Sequence, residues 1–216
     1  MMFIMNFSPK ILPACFGLLL IMLLSNCASQ TQQQKNKLNT EIQVKLNQYK
    51  QSDFKQVEAT FFTHQSKALV FRVLSDISQT SQWLQRLDSI EVLSVYNNHQ
   101  YLLRTTIDSP WPFQNRELIT CVDTIFEDKI TIIKILSCHE RVPINDQYLR
   151  LIHAQSSWRL KEITDSLVEV NYKTWIDPAG YVPAFFFNNE LIKTTKVDLK
   201  KLRVIIENAS LSQYSY

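Results

Sequence analysis

The side chains that could do chemistry in this chain are few and scattered. Four histidines, His64, His99, His139 and His153, show no metal-ligand spacing. Cys138, His139 and Glu140 are three ligand types in a row at the end of a predicted strand. Adjacent strand residues point to opposite sides, so these three do not converge on one ion. No nucleophile elbow occurs, and no Ser, His and Asp spacing singles out a triad. The chain has two glycines, Gly17 and Gly180, so neither a P-loop nor a dinucleotide-binding loop can be built. No cofactor or metal is expected. What remains is the stretch DSPWPFQNRE, residues 108–117, between two runs that read as β-strand. Proline cannot donate to a strand ladder. Pro110 and Pro112 therefore end one strand and turn the chain before the next begins, with Trp111 and Phe113 as rim aromatics and Arg116 just beyond. Arg116 has two readings. Pointing into an apolar hollow, it suits an anionic or polar head group; paired with an acid such as Asp177, it locks the loop.

The elements that would position these residues follow from hydrophobic period. Leu38, Ile42, Leu46 and Tyr49 share a helical face, which predicts a helix over 38–49. EATFFT (58–63) reads as a strand. SKALVFRVLSDI (66–77) reads as a helix, followed by a short helix bearing Trp83 with Thr80 or Ser81 as its N-cap. From residue 89 the period changes to two. SIEVLSVY and QYLLRTTI flank the turn NNH, and RELITCVDTIF and KITIIKILSC form a second hairpin turning at Glu127–Asp128. HERVPINDQ is loop, and SSWRLKEI and SLVEVNYKTWI are two further strands. In the last of these Val168, Val170, Tyr172, Thr174 and Ile176 face one way and Glu169, Asn171 and Lys173 the other. DPAGYVP interrupts, and residues 184–208 read as a helix about 36 Å long, with Phe187, Leu191, Thr195, Leu202 and Ile206 near one stripe. The fold class is α+β: a curved antiparallel sheet of about seven strands wrapped on a long C-terminal helix. A turn at Glu127–Asp128 sets Cys121 opposite residue 134 rather than Cys138, so both cysteines are expected as free, buried thiols.

Residues 1–26 carry one basic residue, Lys10, no acid, and the apolar run ILPACFGLLLIMLL. The run is shorter than the roughly 20 residues of a membrane span and fits a signal h-region. LLSNC, Leu23 to Cys27, resembles a bacterial lipobox, although Asn26 stands where Gly, Ala or Ser is usual. That resemblance implies a signal peptide over 1–26 and a lipid on Cys27. With Ala28 and no Asp after the cysteine, it implies an outer membrane lipoprotein facing the periplasm. Residues 27–37 are a polar tether reaching at most about 35 Å, 38–208 the domain and 209–216 a tail. The net charge of +3 is too balanced for a nucleic-acid surface.

The element order, with VFRVLSDI and Trp83 (70–83), WPFQNRE (111–117) and WIDPAGYVP (175–183), resembles the StAR-related lipid-transfer (START) domain and its helix-grip superfamily. The resemblance implies one lipid or other hydrophobic molecule enclosed under the last helix and a neighbouring loop, and no catalysis. By strand parity, Leu103, Thr105 and Arg116 face inward, while Arg104 and Glu117 face outward within reach of each other. Leu103, Thr105, Trp111, Phe113, Arg116, Tyr172, Tyr181, Phe187 and Leu191 are the candidate ligand-binding residues. Phe185 to Phe187 cannot share one helical face, so at least one is expected to be exposed or to touch a membrane. The leading reading is a membrane-tethered periplasmic carrier or sensor of a hydrophobic ligand. An enzyme of the aromatase/cyclase kind would need an acid or base inside, such as Asp123 or His153. A non-binding envelope interaction module would fill the hollow with side chains.

Overall fold

The computed structural model describes residues 41–214. The signal peptide, Cys27 and the tether lie outside them. Nine strands form one sheet: β1 (Gln43–Asn47), β2 (Gln56–Thr63), β3 (Leu87–Asn97), β4 (Gln100–Ile107), β5 (Arg116–Phe126), β6 (Ile130–Ser137), β7 (Leu149–Leu151), β8 (Ala154–Thr164) and β9 (Leu167–Ile176). The strand order is β1-β2-β9-β8-β6-β5-β4-β3, all antiparallel, with β7 added in parallel to β5. Helix α1 (Lys67–Ser75) and the 25-residue α2 (Ala184–Asn208) cover one face of the sheet.

Two strands exceed the expected seven. β1 replaces the expected helix. Ile42, Val44 and Leu46 also alternate, and with Val44 paired to Ala59 and Leu46 to Val57 they are half-buried on the sheet edge. Tertiary pairing thus overrides a 3–4 spacing that Leu46 and Tyr49 satisfy by coincidence. Tyr49 instead stacks on Trp175, with ring centroids 4.3 Å apart. β7 is three residues long and carries no legible period.

The local stop and start signals account for α1. Ser66 Oγ accepts from the Leu69 N–H at 3.2 Å, an N-cap that satisfies one otherwise orphaned donor. The expected short helix is a 3₁₀ segment, Ile77–Gln82, capped by Asp76 rather than Thr80 or Ser81. Asp76 Oδ1 accepts from the Ser78 N–H, which starts the turn four residues early, and Trp83 lies beyond its end. Residues 209–214, read as a tail, fold back: the Arg72 guanidinium donates to the Tyr214 carbonyl at 2.9 Å.

The hairpin β5–β6 turns at Asp128–Lys129, because Glu127 and Ile130 exchange both backbone bonds. This moves the register by two and sets Cys121 opposite Leu136. Cys138, two residues past Leu136 on the same face, becomes its diagonal neighbour. The two sulfurs are joined in a disulfide with Cα atoms 5.9 Å apart, so the expectation of free thiols is corrected. Both cysteines sit in a small second core on the outer face with Leu102, Ile119, Leu93 and Val142.

Candidate functional site

The inner face of the sheet divides into two halves. At the far half, Phe61, Leu160 and Val170 are fully buried against Leu199, Leu202 and Ile206 of α2. The near half lies toward the N-terminal turns of α2 and behaves differently. Thr105, Leu118, Ile135, Ser137, Ser156 and Tyr172 point inward by register yet are only half-buried, as are Phe187, Leu191 and Thr194 of α2. A side chain that faces the interior and keeps accessible surface borders unfilled space.

The rim of this half is held at three places. Arg116 is buried and inward, as parity required, but its Nε donates to the Pro178 carbonyl at 3.2 Å and its Nη1 to the Gln114 carbonyl at 2.7 Å. The Phe113 ring lies 5.6 Å from the guanidinium carbon. Arg116 therefore ties the 108–115 loop to the 177–183 loop. The partner is not Asp177, whose Oδ1 accepts from the Ala179 N–H at 3.0 Å within its own turn. That turn needs a left-handed backbone at Gly180 (φ 66), where a Cβ would also meet Leu149 Cδ2 at 3.3 Å. Next, Phe113 packs against Phe186 with centroids 5.8 Å apart. Finally Asn188, buried on α2, accepts from the Lys55 N–H at 2.8 Å and donates to the Asp53 carbonyl at 3.0 Å.

Two candidate residues do not line the interior. Trp111 is 91% exposed and Tyr181 fully exposed. The prolines and the Gly180 turn carry these rings outward past the rim that Phe113 and Arg116 close. Leu103 is packed into the buried core. Thr105, Tyr172, Phe187 and Leu191 border the near half; Phe187 also meets Phe54 edge-on at 5.5 Å. Of the three consecutive phenylalanines, Phe185 is 72% exposed. Trp175 packs on the outer side, its indole N–H donating to the Phe54 carbonyl at 2.9 Å.

The interior chemistry is made of hydroxyls and one carboxyl. Ser156 and Thr174 face each other across β8 and β9, their oxygens 2.8 Å apart. Tyr172 stacks on Trp158 at 4.2 Å, and Trp158 meets Trp83 edge-on at 6.1 Å. Burial pushes the Tyr172 phenol up; hydrogen bonds to Thr174 and Ser156 oppose this, and the Asp198 charge adds to it. Asp198 lies seven residues, two helical turns, after Leu191 on α2, and its Oδ1 accepts from the Gln85 N–H at 3.2 Å. Burial raises its carboxyl to about 6, against the opposing pull of Gln85, Lys201 and Arg86. Asp123 and His153, the acids and bases anticipated for an enzyme, are elsewhere: Asp123 is on the outer parity of β5 accepting from Gln100, and His153 is exposed between β7 and β8. Among the described residues no three His, Cys, Asp or Glu side chains converge to hold a metal.

The raised Asp198 carboxyl has a testable sign. The folded state holds this proton more tightly than the unfolded chain, so stability falls as pH rises from the ordinary 3.8 through about 6. Asp198→Asn is expected to raise the melting temperature at pH 8 by about 2–4 °C and to leave it unchanged at pH 3.5. Equal shifts at both pH values, read by thermal melts, would contradict this.

No protein-family model matches the chain. An uncharacterized protein of Pseudomonas aeruginosa is 22% identical over 141 residues, covering 65% of this chain and 69% of its own length. Solved structures are more decisive. The STAR-related lipid transfer protein of Xanthomonas axonopodis, fragment 25–204, superposes with a TM-score of 0.70 at 20% identity, covering 77% of this chain and 94% of that one. This chain has the START-like helix-grip fold. Human STARD10 matches the START-like domain at TM-score 0.64 and 16% identity over 81% of this chain and 77% of its own. The Zhui aromatase/cyclase of Streptomyces sp. R1128 matches at 0.51 and 15% over 70% and 93%. At such identities the likeness carries architecture alone.

Proposed function

We propose that the START-like domain binds a lipid or other hydrophobic small molecule between its sheet and the N-terminal half of α2, as a carrier or sensor tethered to the bacterial envelope through lipidated Cys27. The observation that carries this reading is the set of inward-facing, half-buried side chains in the near half, beside a far half whose inward side chains are fully buried. Burial of an acyl chain there contributes about 25 cal/mol per Å² of apolar area. The name of the Xanthomonas neighbour, a lipid transfer protein, supports the same class of ligand. The Cys121–Cys138 disulfide supports an oxidising compartment such as the periplasm. Trp111, Tyr181 and Phe185, exposed around the rim, fit a mouth that faces a bilayer interface.

The test is native mass spectrometry of the full chain purified from its host envelope. One hydrophobic small molecule per chain is the expected result; a protein that is empty and stays empty after incubation with envelope lipid extract contradicts the reading. A second reading, an enzyme of the aromatase/cyclase kind, is favoured by one observation, a half-buried Asp198 on the covering helix, held by the Gln85 N–H and raised by burial to about 6. It requires the bound molecule to be released chemically changed, which the same spectra would register.

A further inference from the structure

Two arginines are buried among the described residues, Arg116 at 8% exposure and Arg150 at 7%. Their surroundings differ in one respect. Arg150 meets the Glu117 carboxylate at 2.6 Å, so its charge is compensated inside the protein. Arg116 has no carboxylate partner among the described residues; its contacts are the Pro178 and Gln114 carbonyls and the Phe113 ring. A carbonyl oxygen satisfies a donor but cancels no net charge. Burial lowers the Arg116 pKa, and no neighbouring acid opposes it. A guanidinium does not escape such a site by losing its proton, so the positive charge stays.

The unspent part of Arg116 is Nη2. Nε and Nη1 hold the two carbonyls, while Nη2 has no acceptor among the described residues and keeps accessible surface within a buried side chain. By register Arg116 faces inward between Ile107 of β4 and Leu149 of β7, both half-buried, and Leu118 follows it on the same face of β5. Beyond these, the half-buried Thr105, Ile135 and Tyr172 continue the near half. One fixed, uncompensated charge thus stands at the rim of a largely apolar lining. An uncompensated buried charge is costly. An acid group seated on its free edge offsets that cost through charge-assisted hydrogen bonds. The two carbonyls also hold the guanidinium in place, so little freedom is lost when a guest binds.

We infer that the near half selects an amphiphile with a single negative charge, a carboxylate or a phosphodiester, whose head sits on Arg116 at the rim and whose apolar tail runs inward past Leu118. One cation matches one negative charge; a phosphate monoester would bring an excess. Arg116 then has two tasks: Nε and Nη1 tie the rim loops, and Nη2 is left for the guest. The inference rests on the ligand-binding reading above and narrows it to a class.

The full chain, stripped of endogenous lipid, is titrated by calorimetry at pH 8 with dodecanoate, lauroyl lysophosphatidylglycerol and 1-dodecanol. At least one of the two anions is expected to bind about tenfold or more tightly than the alcohol, and the tighter anion names the source of the acid group. Arg116→Met keeps the apolar stem and is expected to bring that ratio to about one or below, with alcohol binding changed by less than about twofold. That variant also loses the two carbonyl bonds, so the wild-type protein supplies a second readout. Bound dodecanoate, labelled with carbon-13 at its carboxyl and followed by NMR, is expected to stay ionised at pH 5, as a carboxylate beside a guanidinium does; in a purely apolar hollow it would take up a proton. An alcohol that binds as tightly as both anions, or a bound carboxyl protonated at pH 5, overturns the class assignment and leaves the carrier reading intact. An unchanged ratio in folded Arg116→Met overturns the role of that residue. Failure of all three ligands to bind counts against the carrier reading itself.

Discussion

Glu117→Ala is expected to destabilise the START-like domain by about 3–5 kcal/mol, a drop in melting temperature of roughly 10 °C. Glu117 is 0% exposed. Its Oε2 accepts from Arg150 Nε at 2.8 Å and lies 2.6 Å from Nη2, a two-pronged contact, while Oε1 is 3.0 Å from Arg104 Nε. Arg150 is itself buried and donates onward to the carbonyls of His139, Val142 and Pro143. Removing the carboxylate therefore leaves one arginine charged and uncompensated inside the protein. It also loosens the 139–143 loop that Arg150 organises. Glu117→Gln keeps the shape and one acceptor and is expected to lose roughly half as much. Replacing both partners, Glu117→Ala with Arg150→Met, should recover part of the loss, because the stranded charge is gone. Urea unfolding of the three variants decides it; a loss under about 1 kcal/mol in Glu117→Ala would show that the pair is not the structural tie its geometry describes.

The disulfide has the next largest expected effect. Cys121 and Cys138 are 17 residues apart, and closing a loop of that size restricts the unfolded chain by about 3 kcal/mol. Reduction also frees the end of β6 where the chain leaves for the loop that Arg150 gathers. Cys121→Ser with Cys138→Ser is expected to melt roughly 6–12 °C lower than the oxidised protein and to be insensitive to dithiothreitol. Protein produced in a reducing cytosol should melt like the variant until it is oxidised. Identical melting of reduced and oxidised protein would deny the bridge a stabilising role.

Much of the site's frame could be read in the sequence because alternation was clean where it mattered. Leu103 and Thr105 against Arg104, and Leu118 and Thr120 against Glu117, set the parity of β4 and β5, and the Arg104–Glu117 pairing follows from it. The C-terminal helix was legible for the same reason, through its 3–4 stripe. What escaped was non-local. β7 is too short to show a period and pairs in parallel with a strand more than 20 residues earlier, so Arg150, the strongest partner of Glu117, had no visible signal. The disulfide was lost to a two-residue error in the turn, since register fixes every diagonal neighbour. Asn188 carried a signal that went unread: it lies buried on α2 next to Phe187, where a polar side chain needs a reason. Arg116 was placed on the correct side of its strand, but its binding partners are backbone carbonyls, and no sequence pattern announces those.

The two ends of α2 are fastened by different kinds of force. Leu199, Leu202 and Ile206 are sunk in aliphatic packing that yields only when the whole core yields. The opposite end is clasped by discrete contacts: two hydrogen bonds at Asn188, a ring pair at Phe186 and an ion pair at Glu190. Such clasps release singly, each hydrogen bond at a net cost of about 0.5–1.5 kcal/mol. Loosening the first turns of the helix therefore breaks a few separate contacts, whereas loosening its far end breaks into the core itself.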